Sequence, residues 1–131
     1  MSNIIYISER EFVICDALVS HGQFLLRSQK NSEYNFNIDI IFFALDYIQI
    51  SSMLRGLTIR ISNGNTNALN YTAVNKYLSY KNNHLFEIES EGEVYFIAAS
   101  FIKVFENELE FNETSLGFDN KGKDKLIASS M

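Results

Sequence analysis

The chain has 131 residues, a net charge of -5, 47 % apolar and 21 % charged residues, and a sequence pI near 5.0. That length and composition fit one globular domain able to bury a core without metal or disulfide staples, and exclude a disordered chain. The acidity argues against a nucleic-acid binder, which needs clustered Lys and Arg for phosphate, and makes a basic partner the natural complement.

The first apolar run, Ile4 to Ile7, ends at Ser8, and Ser8 with Glu11 matches a capping box. Phe12, Cys15, Leu18 and Val19 recur at helical spacing and Gly22 stands at the C′ place, so the pattern predicts a helix over about 9–20. Gln23 to Ser28 reads as a strand. From Phe36 to Ile50 both parities are apolar, which requires a strand buried on both faces or one bent so that its buried face changes. Leu57 to Ser62 alternates and has one wet face. Val74, Tyr77, Leu78 and Lys81 fit a helix over about 72–81, ended by Asn82-Asn83. Leu85 to Ser90 and Glu93 to Ala99 flank Glu91-Gly92 as a hairpin, and Phe101 to Phe105 and Leu109 to Asn112 continue the strand rhythm. The sum is a mainly β domain (α+β if both helices form): a curled antiparallel sheet, half-barrel or sandwich, with one or two short helices. Residues 1–116 form this unit, and 117–131 read as a polar, loosely ordered tail. There is no proline, and Asn-rich turns such as Asn63-Gly64-Asn65 supply the punctuation.

Half of the acidic residues fall between 87 and 113, where eight glutamates face one basic residue, Lys103, for a local charge of -7. Glu87, Glu89, Glu91 and Glu93 share one parity; Glu106, Glu108 and Glu110 share the other. A period of two places side chains on one face of a strand, so these residues predict a negatively charged sheet surface. Solvated faces and guarded edges carry alternating charge too. This run, however, is one-signed and interleaved with large aromatics, with Tyr95 as a candidate anchor, which favours fast, salt-sensitive association with a basic protein.

Other chemistry is poorly supplied. His21 and His84 have no second ligand at metal spacing, so neither a metal site nor a cofactor is expected. Cys15 sits on an apolar stripe, where a free thiol behaves as a small core hydrophobe instead of a nucleophile. Asp39 and Asp46 lie in the most apolar segment and could form an acid/base pair, but pairing of such an Asp with Arg27, Arg55 or Arg60 is the simpler expectation. No Gly-rich phosphate loop is present. The reading is not an enzyme. A single cysteine, the lack of a leader pattern and the lack of a ~20-residue apolar run point to the cytoplasm and to no membrane span.

The stretches Ser20-His21-Gly22-Gln23-Phe24-Leu25-Leu26-Arg27-Ser28, Asn37-Ile38-Asp39-Ile40-Ile41-Phe42-Phe43, Leu54-Arg55-Gly56-Leu57 and Glu108-Leu109-Glu110-Phe111 with Ser115-Leu116 resemble small acidic bacterial proteins. Some of these are similar to the immunity proteins of toxin and immunity pairs, including contact-dependent growth inhibition systems. The resemblance covers about residues 20–116. It implies a cytoplasmic protein that neutralises one toxin domain, commonly a basic nuclease, by stoichiometric binding. The alternative drawn from the aromatic content is a barrel-like carrier holding an apolar ligand in the mouth of its sheet.

Overall fold

The computed structural model describes residues 3–62 and 83–131. Among them lie nine strands: β1 (Asn3–Leu18), β2 (Gln23–Ser28), β3 (Asn37–Phe43), β4 (Tyr47–Gln49), β5 (Met53–Ile61), β6 (His84–Ser90), β7 (Glu93–Ala99), β8 (Phe101–Asn107) and β9 (Lys125–Ser129). They build one antiparallel sheet in the order β4-β7-β6-β5-β1-β2-β3-β8-β9, with β4 and β9 as unjoined edges. The domain is mainly β, as the alternation in the sequence predicts.

The sheet curls on itself. Phe42 of β3 and Phe86 of β6, with three strands between them in the sheet, meet edge to face with ring centroids 5.9 Å apart. Between them the concave side is filled by Phe12, Phe24, Leu26, Ile40, Ile59, Ile88, Ile97 and Val104, all buried. These residues are the every-second positions of their strands, so the core is the direct product of period-two patterning.

The predicted helix over 9–20 is instead the long strand β1, followed by a 3-10 turn at Val19–His21. Two irregularities in the pairing with β5, between Ile4 and Tyr6 and between Ser8 and Glu11, and one with β2, between Ile14 and Asp16, interrupt the alternation. Each shift by one residue reverses which parity faces inward, and the resulting spacing of apolar groups imitates a helix. The supposed capping box flanks one of these shifts: Ser8 Oγ accepts from the Arg10 amide at 3.1 Å, and Glu11 lies opposite Arg55. Gly22 does adopt a left-handed conformation (φ 64°), closing the 3-10 turn. The predicted helix over 72–81 lies outside the described residues.

Of four other expectations, two hold and two are overturned. Glu91 and Gly92, at φ 50° and 81°, form the two-residue turn between β6 and β7, the primed geometry that matches strand twist. The apolar segment 36–50 divides at Ala44 into β3 and β4, and β3 is buried on both faces. Its second face packs Ile41 with Leu25, Phe105 and Leu116. Leu116 belongs to a strap, residues 108–124, which crosses that face; Leu109–Asn112 is part of this strap and not a strand. The segment 117–131, expected to be loosely ordered, returns from the strap as the edge strand β9, paired to β8 from Lys103–Ser129 to Glu106–Lys125.

Candidate interaction site on the sheet

Strand pairing assigns each glutamate to a side. On β6, Phe86 and Ile88 enter the core, so Glu87 and Glu89 project from the convex side. Across the hairpin Glu87 lies opposite Phe96 and Glu89 opposite Val94, and on the other flank they face Arg60 and Thr58 of β5. β1 extends these rows with Ile4 opposite Arg60 and Ile7 opposite Thr58. The convex patch therefore consists of two rungs, Ile4-Arg60-Glu87-Phe96 and Ile7-Thr58-Glu89-Val94, about 14 Å across at ordinary strand spacing. Ile4, Ile7 and Val94 are 53 %, 60 % and 43 % exposed.

Charge is partly compensated within this patch. Arg60 Nη1 lies 2.8 Å from Glu89 Oε1. Glu87, Glu91 and Glu93 have no basic partner among the described residues, and Glu87 keeps one buried carboxylate oxygen without a hydrogen bond. Glu91 sits in the turn and Glu93 at its exit, both exposed; Glu93, opposite Ser90 and two residues from Tyr95, shares Tyr95's side, so these two glutamates form the hairpin tip and not the convex rungs. Tyr95, opposite Ile88, packs on the concave core, so it anchors the hairpin from within and does not join the convex patch.

The second glutamate run is elsewhere. β8 is separated from β6 by β5, β1, β2 and β3, and Glu106, opposite Ile38, points to the concave side. Its carboxylate lies 2.6 Å from Lys125 Nζ. Glu108 and Glu110 belong to the strap, where their carbonyls are in use: Glu108 O accepts from Lys30 Nζ at 2.6 Å, and Glu110 O from Arg27 Nη1 at 3.4 Å. Lys30 Nζ also lies 3.7 Å from the Glu110 carboxylate. The two runs thus form two surfaces of different character. Strand parity alone could not reveal this, since the face of each run depends on which element covers it.

Of the residues weighed for catalysis, Asp39, His21, His84 and Cys15 each have structural contacts. Asp39 is fully buried: Oδ1 accepts from Arg27 Nε at 2.6 Å, and Oδ2 from Arg27 Nη2, Asn107 Nδ2 and Ser115 Oγ. Burial opposes the charge of Arg27, but Asp39 outweighs it and holds the guanidinium above its ordinary pKa. Asp46 is exposed. His21 packs edge to face on Phe118, and His84 Nδ1 lies 2.8 Å from the Ser100 carbonyl. Cys15 packs against the second-face apolar group of β2, β3 and β8, and burial pushes its thiol pKa up. It should therefore react more slowly with a disulfide reagent at pH 8 than a free thiol does, with the rate rising on urea unfolding; equal rates would place Cys15 at the surface.

At Glu113 the Glu110 amide and Lys121 hold the carboxyl below its usual pKa. Because the folded value is depressed, the strap's stabilisation from this group is present above the unfolded pKa and is lost as pH falls through the folded one.

Among the described residues, no group of three or more His, Cys, Asp and Glu side chains could hold a metal ion, and no helix is long and apolar enough to cross a membrane. Comparison with family models, curated proteins and solved structures found no match to the chain, so its functional reading rests on its own residues.

Proposed function

We propose that the protein is an immunity-type binding protein that neutralises a basic toxin domain in the cytoplasm by stoichiometric association through the convex patch and the tip of the β6–β7 hairpin. The observation that supports this reading is the composition of that patch. Glu87 shares the convex rungs with exposed Ile4, Ile7 and Val94, Glu91 and Glu93 stand at the adjoining hairpin tip, and none of these three glutamates has a basic partner among the described residues. Carboxylates steer a basic partner and set register, while desolvated aliphatic groups supply the contact energy. The hairpin is rigid on its inner side, where Tyr95, Ile97 and Phe86 join the core, so little order is lost on binding. The strap glutamates contribute backbone ties to the fold, and Glu106 is paired, so the hairpin is the leading surface.

The carrier alternative would hold an apolar ligand in the mouth of the curled sheet. The concave side is instead occupied by Phe12, Phe24, Phe42 and Phe86, none more than 5 % exposed.

The test is to read the neighbouring reading frame for a large protein with a basic C-terminal domain and to measure co-expression and binding with that domain. Glu91→Lys with Glu93→Lys should slow association about tenfold at low salt and flatten its salt dependence, leaving the melting temperature within a degree or two. Unchanged association would overturn the hairpin assignment, and absence of any complex with such a domain would overturn the immunity reading.

A further inference from the structure

We propose, resting on the hairpin reading above, that the outer edge of β7 at Val94 is a docking slot for an extended basic segment of the partner protein, which adds there as a short antiparallel strand.

The slot follows from the ladder. Ser90 and Glu93 close the two-residue turn at Glu91-Gly92 and exchange its hydrogen bonds, so Glu89 and Val94 form a wide pair whose N–H and C=O groups point away from each other. The same parity returns at Phe96 and Ala98, and there β4 meets it. Gln49 lies opposite Phe96, Tyr47 lies opposite Ala98, and the Ala98 carbonyl accepts from the Asp46 amide at 2.8 Å. β4 stops at Gln49, and by Ser52, whose carbonyl accepts from the Ile14 amide at 3.1 Å, the chain has crossed to β1. The Val94 amide and carbonyl therefore face outward with no strand opposite them among the described residues.

Charge selects the occupant. Open sheet edges are commonly guarded by lysine or proline. This one carries Glu91 and Glu93 at its tip, both exposed and without a basic partner among the described residues. A second copy pairing here would set these carboxylates against their own duplicates, which like-charge repulsion opposes, whereas a strand with lysine or arginine beside Glu93 is drawn in. In antiparallel register the residue opposite Val94 lies on the convex side against the exposed Val94 side chain, and its two neighbours fall on the side of Glu93 and Tyr95. The segment that fits is an apolar residue flanked by lysine or arginine, held by main-chain bonds at the edge.

The experiment is an amide NMR titration of the whole chain with the peptide acetyl-Thr-Lys-Val-Lys-Thr-amide. In the free chain the Val94 amide should exchange with solvent as fast as an open loop amide, while the Phe96 amide, facing β4, is protected. Protection at Val94 would mean that the edge is already covered and would overturn the slot. Added peptide should shift residues 93–95 and 49 first; no shifts there would overturn it too. Methylating the amide nitrogen of the peptide's valine, or replacing both its lysines by glutamate, should each weaken binding about fivefold or more. Val94→Pro removes the outward N–H and leaves the β6 ladder intact, so the melting temperature should hold within a few degrees and binding should fall as far as with the methylated peptide. Val94→Ala keeps the N–H and should cost about twofold at most. Equal binding of the methylated and unmethylated peptides, or equal losses in the proline and alanine variants, would leave only a side-chain contact and overturn strand addition. Should the proline variant unfold, the methylated peptide decides alone. Peptide binding with no toxin domain found would remove the immunity reading and keep the slot; a toxin complex indifferent to Val94→Pro would remove the slot and keep the immunity reading.

Discussion

Asp39→Ala is expected to destabilise the protein by about 3–5 kcal/mol, measured as a loss of urea midpoint with the slope of the transition unchanged. The pair Arg27–Asp39 is 1 % and 0 % exposed, and the substitution leaves a buried guanidinium with no counter-charge. The damage extends past the pair. Asp39 Oδ2 holds Ser115 and Asn107, and Arg27 Nη1 holds the Glu113 carbonyl at 2.8 Å, so the same two side chains fasten the strap to the sheet. Protease cleavage between 108 and 124 should accelerate in the variant before global unfolding does. Replacing both partners, Arg27→Met with Asp39→Leu, should cost less than Asp39→Ala alone, because no orphaned charge remains. A cost below about 1 kcal/mol for Asp39→Ala would mean that the strap is held by Leu116 and its apolar neighbours instead.

Phe42→Ala is the second large effect, at about 3–5 kcal/mol by the usual cost of a buried aromatic truncation. Phe42 is fully buried, touches Phe24 on its own side of the core and meets Phe86 from the far half of the sheet. Phe86→Ala should be comparable, and a double-mutant cycle between the two should show coupling of about 0.5–1.5 kcal/mol. That coupling is the energetic signature of the curl, since the two rings belong to strands that never pair. Additive losses would indicate an opened sheet whose halves do not meet in solution.

The β class and the hairpin at Glu91-Gly92 were legible because each follows from local alternation or turn chemistry, whereas the two apolar parities of 36–50 left double burial and a bend equally open. β1 was not legible. Its register shifts scramble the parity of Phe12, Cys15 and Leu18, and the Ser8 and Glu11 signals that mark a helix start serve a bulge here just as well. The pairing of Asp39 with Arg27 was among the anticipated possibilities, whereas the third layer made by the strap left no periodic trace. Its function is carried by backbone carbonyls of Glu108, Glu110 and Glu113, and a carbonyl has the same chemistry at every residue. The glutamate pattern predicted strand geometry correctly from 87 to 89, but which side a strand presents is decided by distant partners, and so the runs separated.

The central position of β1 has a kinetic consequence. Asn3 pairs with Ile61 and Leu18 with Gln23, so one strand must wait for partners on both sides, one of them far along the chain. During synthesis the β1–β2–β3 meander can form early, yet its inner face stays bare until β5 and β6 emerge to bring Phe86 onto Phe42. Long-range pairing of this kind places refolding on the millisecond-to-second scale. The exposed β1 edge in that interval is where association between unfinished copies would begin.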